Sequence, residues 1–198
     1  MDFYNQNAKK YFDLSVNADL NSMYALFLAK IPPKAHILDA GCGSGRDSKF
    51  FLNHGYQVTA FDGSSEMAKL AEEFLGQKVL NLKFSEISWQ QKFDAVWASA
   101  SLLHLDDQEL DIAIDNLKNS LKENGLFFAS FKEGQGKDYD QQNRFFNYMD
   151  EEKLSALFAK HQLQQIKIVE STDTLGRQQK WFNIFSIKPP KNQLKNKF

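Results

Sequence analysis

The sequence predicts an α/β fold: a doubly wound, mostly parallel sheet of seven strands that ends in an antiparallel hairpin and is preceded by a helical cap. Three observations predict it. Short apolar runs alternate with helical periodicities from His36 to Phe131, a glycine-rich turn joins the first of these runs to the helix after it, and the chain closes on two strand-like runs around a turn-rich segment. Strands alternating with helices need a parallel sheet covered on both faces, and right-handed crossovers then give the doubly wound topology.

In chain order, residues 1–30 carry Phe3, Tyr4, Tyr11, Phe12, Met23, Tyr24 and Phe27, more aromatic surface than an exposed arm should hold. They are expected to form helices, either a lid over the cleft or ordinary packing on the core. His36 to Asp39 reads as the first strand, followed by a helix from about Arg46 that stops near His54 before Gly55. Tyr56 to Asp62 is the second strand. The next helix places Met67, Leu70, Ala71, Phe74 and Leu75 on one face, with Ser64 or Ser65 as N-cap and Gly76 at its stop. Lys78 to Phe84 and Phe93 to Trp97 read as strands, Asp106 to Lys122 as a helix ended by Gly125, and Leu126 to Phe131 as the next strand. A helix from about Asp150 to Lys160 precedes Gln165 to Val169 and Trp181 to Ile187, which flank a turn around Gly176 as a terminal hairpin would. Residues 1–188 are expected to form one domain, and the lysine-rich tail 189–198 to be disordered.

Composition removes several classes of function. With 198 residues, 42% hydrophobic and 25% charged, the chain is too ordinary for a disordered, collagen-like or coiled-coil protein. A net charge of -1 provides no field for broad nucleic-acid binding. The sole cysteine, Cys42, forms no internal disulfide, and the first residues lack the apolar core of a secretory leader, so a cytoplasmic protein without membrane attachment is expected. The four histidines and one cysteine do not cluster, which predicts no catalytic metal. A monomer or homodimer fits.

The residues Ile37 to Asp47 read ILDAGCGSGRD, so the first strand ends in Asp39 and runs into Gly41, Gly43 and Gly45 before the helix. Such a turn lets a ligand approach the backbone closely. A dinucleotide fingerprint wants a small sixth residue, and here that residue is Arg46. Asp39 would also repel a pyrophosphate and suits a cationic cofactor.

At this point the sequence resembles the class I S-adenosylmethionine-dependent methyltransferases, whose first motif is an acid followed by GxGxG at the end of the first strand, as in Asp39, Gly41, Gly43 and Gly45. The resemblance implies a Rossmann-like fold, S-adenosylmethionine as cofactor and S-adenosylhomocysteine as product. It makes Cys42 and Arg46 part of the cofactor loop, and Tyr11 or Tyr4 of the cap neighbours of the cofactor. Asp62, 21 residues after Gly41, is placed to accept both ribose hydroxyls. Gly63, Ser64 and Met67 would border the adenine, Met67 being equally readable as core. Phe84 and Ser85 fall in the stretch that meets the adenine amine, and FDAVWASASLLHL resembles the fourth-strand motif, with Ala98 and Ser99 against the cofactor. Within the family, GCGSGRDS looks most like the tellurite-resistance and trans-aconitate type of small-molecule methyltransferase.

Methyl transfer from a sulfonium neutralises charge, so alignment of donor and nucleophile and exclusion of water matter most. His104 is the candidate general base, or else packs against the following helix. Only three arginines occur. Arg46 could pair with a carboxylate of cofactor or substrate, or make an outward salt bridge with Asp47. Arg144 and Arg177, with Tyr4, are candidate substrate ligands if they converge on the cleft; otherwise they are solvated charges. The absence of a [DN]PP[YF] motif after the fourth strand disfavours adenine or glutamine amide acceptors, and Cys42 inside the turn removes cytosine C5 chemistry. A small acceptor is expected, anionic if Arg144 and Arg177 converge on the cleft. A protein or RNA acceptor, a non-catalytic cofactor-binding module and a nicotinamide-dependent dehydrogenase are the alternatives.

Overall fold

In the computed structural model, which describes residues 2–174 and 176–191, helices α1 (Asp2–Gln6), α2 (Ala8–Ser15) and α3 (Asn21–Leu28) precede the sheet. The sheet-forming strands are β1 (His36–Ala40), β2 (Gln57–Asp62), β3 (Val79–Asn81), β4 (Phe93–Ala98) and β5 (Leu121–Lys132), then β8 (Gln164–Thr172) and β9 (Lys180–Ile187). Helices α4 (Arg46–Asn53), α5 (Ser65–Leu75), α6 (Asp107–Ser120) and α7 (Glu151–Lys160) cover it, and a two-stranded ribbon of β6 (Lys137–Tyr139) and β7 (Phe145–Asn147) lies apart. The strand order is β3-β2-β1-β4-β5-β9-β8, with β9 antiparallel to both neighbours. The chain winds outward from β1 to β3 and then restarts at β4, so the ends of β1 and β4 flank the crevice where open α/β sheets bind ligands.

One face of the sheet packs Leu110, Ile114, Leu117, Leu154 and Phe158 of α6 and α7 against Val96, Phe127 and Phe131. The opposite face packs Met23, Tyr24 and Phe27 of α3 and Phe51 of α4 against Trp97, Phe128 and Phe185. The N-terminal thirty residues therefore divide. Phe27 is fully buried and belongs to the core, where truncation to alanine costs roughly 3–5 kcal/mol; α1 and α2 lie over the site, against α5.

Capping follows the sequence closely. Ser64 Oγ accepts from the Met67 amide, Asp106 and Glu109 form a reciprocal box at the start of α6, and Gly76 ends α5 in the left-handed region. Three boundaries differ from expectation. The third strand is only Val79–Asn81, because the Lys83 amide is taken by the Glu86 carboxylate at 2.7 Å and Phe84–Glu86 turns into a single 3₁₀ turn. Helix α6 ends at Ser120 rather than Lys122, since Leu121 already pairs with Phe93 across a bulge in β5. The polar stretch from Glu133 to Asn143, which reads as a loop in the sequence, holds β6, and β7 follows it, the two paired through Asp138 and Phe146. Of the tail, residues 192–198 lie outside the described residues. No helix among the described residues is long and apolar enough to cross a membrane.

Candidate active site

Strand β1 carries Asp39 to the crevice with 1% exposure. Its Oδ2 accepts from Ser48 Oγ at 2.6 Å, and burial together with the nearby Asp47 carboxylate pushes its pKa up to about 8. The chain then turns at Gly41, where φ is +77° and a Cβ would lie 2.6 Å from Ser101 Cβ, so only glycine lets the turn press against the loop after β4. At Gly43 an added Cβ would meet nothing within 4 Å, leaving open space over the middle of the turn. The Gly43 amide donates to Asp62 Oδ2 at 2.9 Å and the Ser64 amide to Oδ1 at 2.8 Å. Both oxygens of Asp62 are thus aimed by backbone, no ion pair neutralises them among the described residues, and burial raises their pKa against those two amides.

The remaining expected cofactor residues fall into two groups. Ser64 is buried and donates to Asn5 Oδ1 of α1 at 2.6 Å, and Ser99, half-buried, directly follows β4; Ser85 is exposed, and the Phe84 ring lies 3.5 Å from the position of a Gly41 Cβ. Gly45 backs onto Ala71 and Leu75, Cys42 packs beneath α5, and Ala98 and Met67 are buried, at 0% and 1% exposure. Gly63 is half-buried beside Asp62.

Arg46 makes the salt bridge with Asp47 that was one of its two expected roles, but inward rather than outward. It turns inward, donating to Asp47 from Nε at 2.6 Å and from the terminal guanidinium at 3.0 Å, and the same carboxylate accepts from Tyr24 Oη and from Trp97 Nε1 at 2.8 Å. Its other terminal nitrogen reaches the Ser15 carbonyl at 3.4 Å, at the end of α2. The guanidinium thus forms a largely buried internal pair that joins the core to the end of α2.

Beside the crevice, a cleft of about 230 Å³ opens between α1–α2 and the loops that follow β4 and β5, lined by Tyr4, Tyr11, Ala100, His104, Lys132, Arg144, Phe146, Arg177 and Trp181 among others. Arg144 and Arg177 both line it, and Tyr11 lies on this side, edge-on to Tyr4 at 5.0 Å. His104 Nδ1 lies 2.8 Å from the Phe145 carbonyl, which can only accept, so Nδ1 carries the proton and Nε2 accepts from Tyr4 Oη at 2.7 Å. Burial, with Arg144 and Lys132 nearby, lowers the His104 pKa to about 4, opposed by the Phe145 carbonyl. Burial raises the pKa of Tyr4 and Tyr11. Lys132 went unrecognised in the sequence, where its only signal is a lysine at the carboxyl end of an apolar strand. Each arginine is paired with an acid four residues earlier, Arg144 with Asp140 and Arg177 with Asp173, a pairing that neither expected role included.

A parallel sheet in this order, a glycine turn at the β1–β4 switch point and an acid at the end of β2 define a Rossmann-like methyltransferase fold. Residues 37–125 match the methyltransferase domain family. The matched stretch is a little under half of the chain, and what it is similar to is a methyltransferase domain. A probable S-adenosyl-L-methionine-dependent methyltransferase TehB of Haemophilus influenzae is 23% identical over 71% of this chain and 55% of its own length. A ubiquinone biosynthesis O-methyltransferase of Coxiella burnetii is 32% identical over 48% of this chain and 42% of its own. Among solved structures, the 1,6-didemethyltoxoflavin-N1-methyltransferase of Burkholderia thailandensis, bound to 1,6-didemethyltoxoflavin and S-adenosylhomocysteine, superposes with a TM-score of 0.77 at 20% identity, covering 96% of this chain and 85% of that one. The magnesium protoporphyrin IX methyltransferase of Synechocystis, bound to S-adenosylhomocysteine, gives 0.74 at 16% identity over 94% and 96%. The chain spans about half or less of the length of the curated relatives it matches, for instance 55% and 42% of these two.

Proposed function

We propose that the protein transfers a methyl group from S-adenosylmethionine to a small, anionic acceptor held in the cleft beside the glycine turn. The observation that carries the reading is the pair of acids, Asp39 and Asp62, lacking a cation of their own among the described residues, on either side of a turn with open space over Gly43. That donor set fits the cofactor. Asp62 keeps free lone pairs for ribose hydroxyls, and Asp39, whose carboxyl burial and Asp47 hold largely protonated in the free protein, would ionise beside a cationic amino-acid moiety and pair with it. The cofactor, when bound, supplies an electrophilic methyl on a sulfonium.

The chain's own residues bind, orient and dry the site. Gly41 brings the turn against Ser101, and Ser101 Oγ donates to the Ala40 carbonyl at 2.7 Å, which fixes the wall between cofactor crevice and acceptor cleft. Tyr4, Tyr11 and Phe3 of the cap cover that cleft and exclude water. His104, neutral at pH 7, offers Nε2 as the proton-accepting atom once an acceptor X–H takes the place of the Tyr4 hydroxyl. Its low basicity suits an acceptor that loses its proton as the methyl arrives rather than before. A cleft of about 230 Å³, small for a ligand pocket, favours a compact acceptor over a macromolecular one.

Calorimetric binding of S-adenosylmethionine and S-adenosylhomocysteine to wild type and to Asp62→Ala tests the reading. Binding lost in the variant is expected; a folded wild type that binds neither compound would overturn it.

A further inference from the structure

The acceptor cleft carries an uneven distribution of charge. Arg144 is forked onto Asp140 at 2.8 and 2.6 Å, and Arg177 onto Asp173 at 3.0 and 2.6 Å. Each guanidinium is thereby neutralised before any ligand arrives. Lys132 differs. It is the last residue of β5, half-buried, and forms no ion pair among the described residues; its Nζ stands 3.6 Å over the centre of the Phe146 ring. Burial pulls its pKa down to about 8, with Arg177 and Arg144 adding to the effect and Asp140 and Asp173 opposing it. A cation–π contact offsets only part of the cost of withdrawing an ammonium from water. An anion entering the cleft would offset the rest. Around it the walls are flat rings: Tyr4, Tyr11, Phe146 and Trp181, the last paired directly with Lys132 across β5 and β9.

We propose that Lys132 is the specificity-determining residue of the acceptor site, seating the carboxylate or equivalent oxyanion of a small planar acceptor, while Arg144 and Arg177 serve as pre-neutralised walls. The word acceptor rests on the proposed methyl transfer; the anion site stands on the cleft alone. Lys132 stands at the carboxyl end of an interior strand and lines the cleft with His104 and Ala100, so an anion seated there leaves the remainder of a flat molecule facing the β4 loop and the cofactor crevice beyond it.

The test is calorimetry on the full chain saturated with S-adenosylhomocysteine, titrated with benzoate, cinnamate and malonate and with the amide of each. At least one carboxylate is expected to bind about tenfold or more tightly than its amide, since a bond to a charged partner is worth that much more than a neutral one. Lys132→Met, which keeps the stem over Phe146, should erase the difference; Lys132→Arg should recover much of it; both should bind S-adenosylhomocysteine as wild type does. Wild type that binds none of the carboxylates, equal affinity for acid and amide, or a preference that survives in Lys132→Met would each overturn the assignment. A folded wild type that fails to take up S-adenosylhomocysteine sinks the methyltransferase reading instead, and the same titrations without it still decide the anion site.

Discussion

Replacing Asp47 by asparagine tests whether the buried Arg46–Asp47 pair ties the cap to the core. The carboxylate accepts from Arg46 at two positions, from Trp97 Nε1 and from Tyr24 Oη, and its side chain is 8% exposed against 20% for Arg46. Asparagine keeps the shape and one carbonyl acceptor but removes the charge, leaving a guanidinium in the interior. Removing one member of a buried pair costs about 3–5 kcal/mol, and the partial exposure of Arg46 argues for the lower end, about 3 kcal/mol. For a chain of this length that is a fall in Tm of roughly 6–12 °C. Urea unfolding at pH 7 measures it. Burial pushes the Asp47 carboxyl up, but the Arg46 charge and the bonds from Arg46, Tyr24 and Trp97 outweigh it and hold the pKa below its usual value. A depressed folded pKa gives stability that is present above the unfolded value of about 3.9 and lost as pH falls through the folded one. The gap between wild type and variant should therefore close in acid. A loss under about 1 kcal/mol at pH 7, or a gap that persists in acid, would refute the assignment of a charged, coupled pair.

Three further outcomes are expected. Gly41→Ala, which combines a left-handed φ with a Cβ 2.6 Å from Ser101 Cβ, should lose about 2–4 kcal/mol of stability in urea unfolding and weaken S-adenosylhomocysteine binding, whereas Gly43→Ala should disturb binding with the smaller loss of about 1–2 kcal/mol; equal effects on stability would count against the wedge. His104, with a folded pKa of about 4 against an unfolded value near 6.5, contributes stability that is full above pH 6.5 and declines as pH falls toward 4, so His104→Gln should flatten the slope of stability against pH in that window, and an unchanged slope would rule out the buried neutral histidine. Deleting residues 1–15 removes Asn5, Tyr4 and Tyr11 but spares α3, so the protein should fold and bind S-adenosylhomocysteine more weakly; normal binding by the truncated chain would exclude a covering role for α1 and α2.

The parallel core was legible because its signals are local. The spacing of Met67, Leu70, Ala71 and Leu75, the Ser64 cap and the Gly76 stop are each written within a few residues. The glycine turn and Asp62 were legible for the same reason. What the sequence did not yield depends on long-range approach. Arg46 could be given a ligand or a surface partner, yet its place is set by Tyr24 and Trp97, from α3 and β4, closing around Asp47. Lys132 draws its meaning from what stands near it, a ring from β7 and two arginines neutralised by their own loops. β6 and β7 escaped notice because three-residue strands in a polar segment carry no readable period.

The hydrogen bonds of α1 have a kinetic consequence. Tyr4 holds His104 on the acceptor side and Asn5, the next residue, holds Ser64 on the cofactor side. Adjacent residues on one turn of helix cannot let go independently, so a movement that releases the His104 ring also releases the Ser64 hydroxyl. Under the methyl transfer proposed above, acceptor entry and departure of the spent cofactor would share one gate, and its opening would limit turnover.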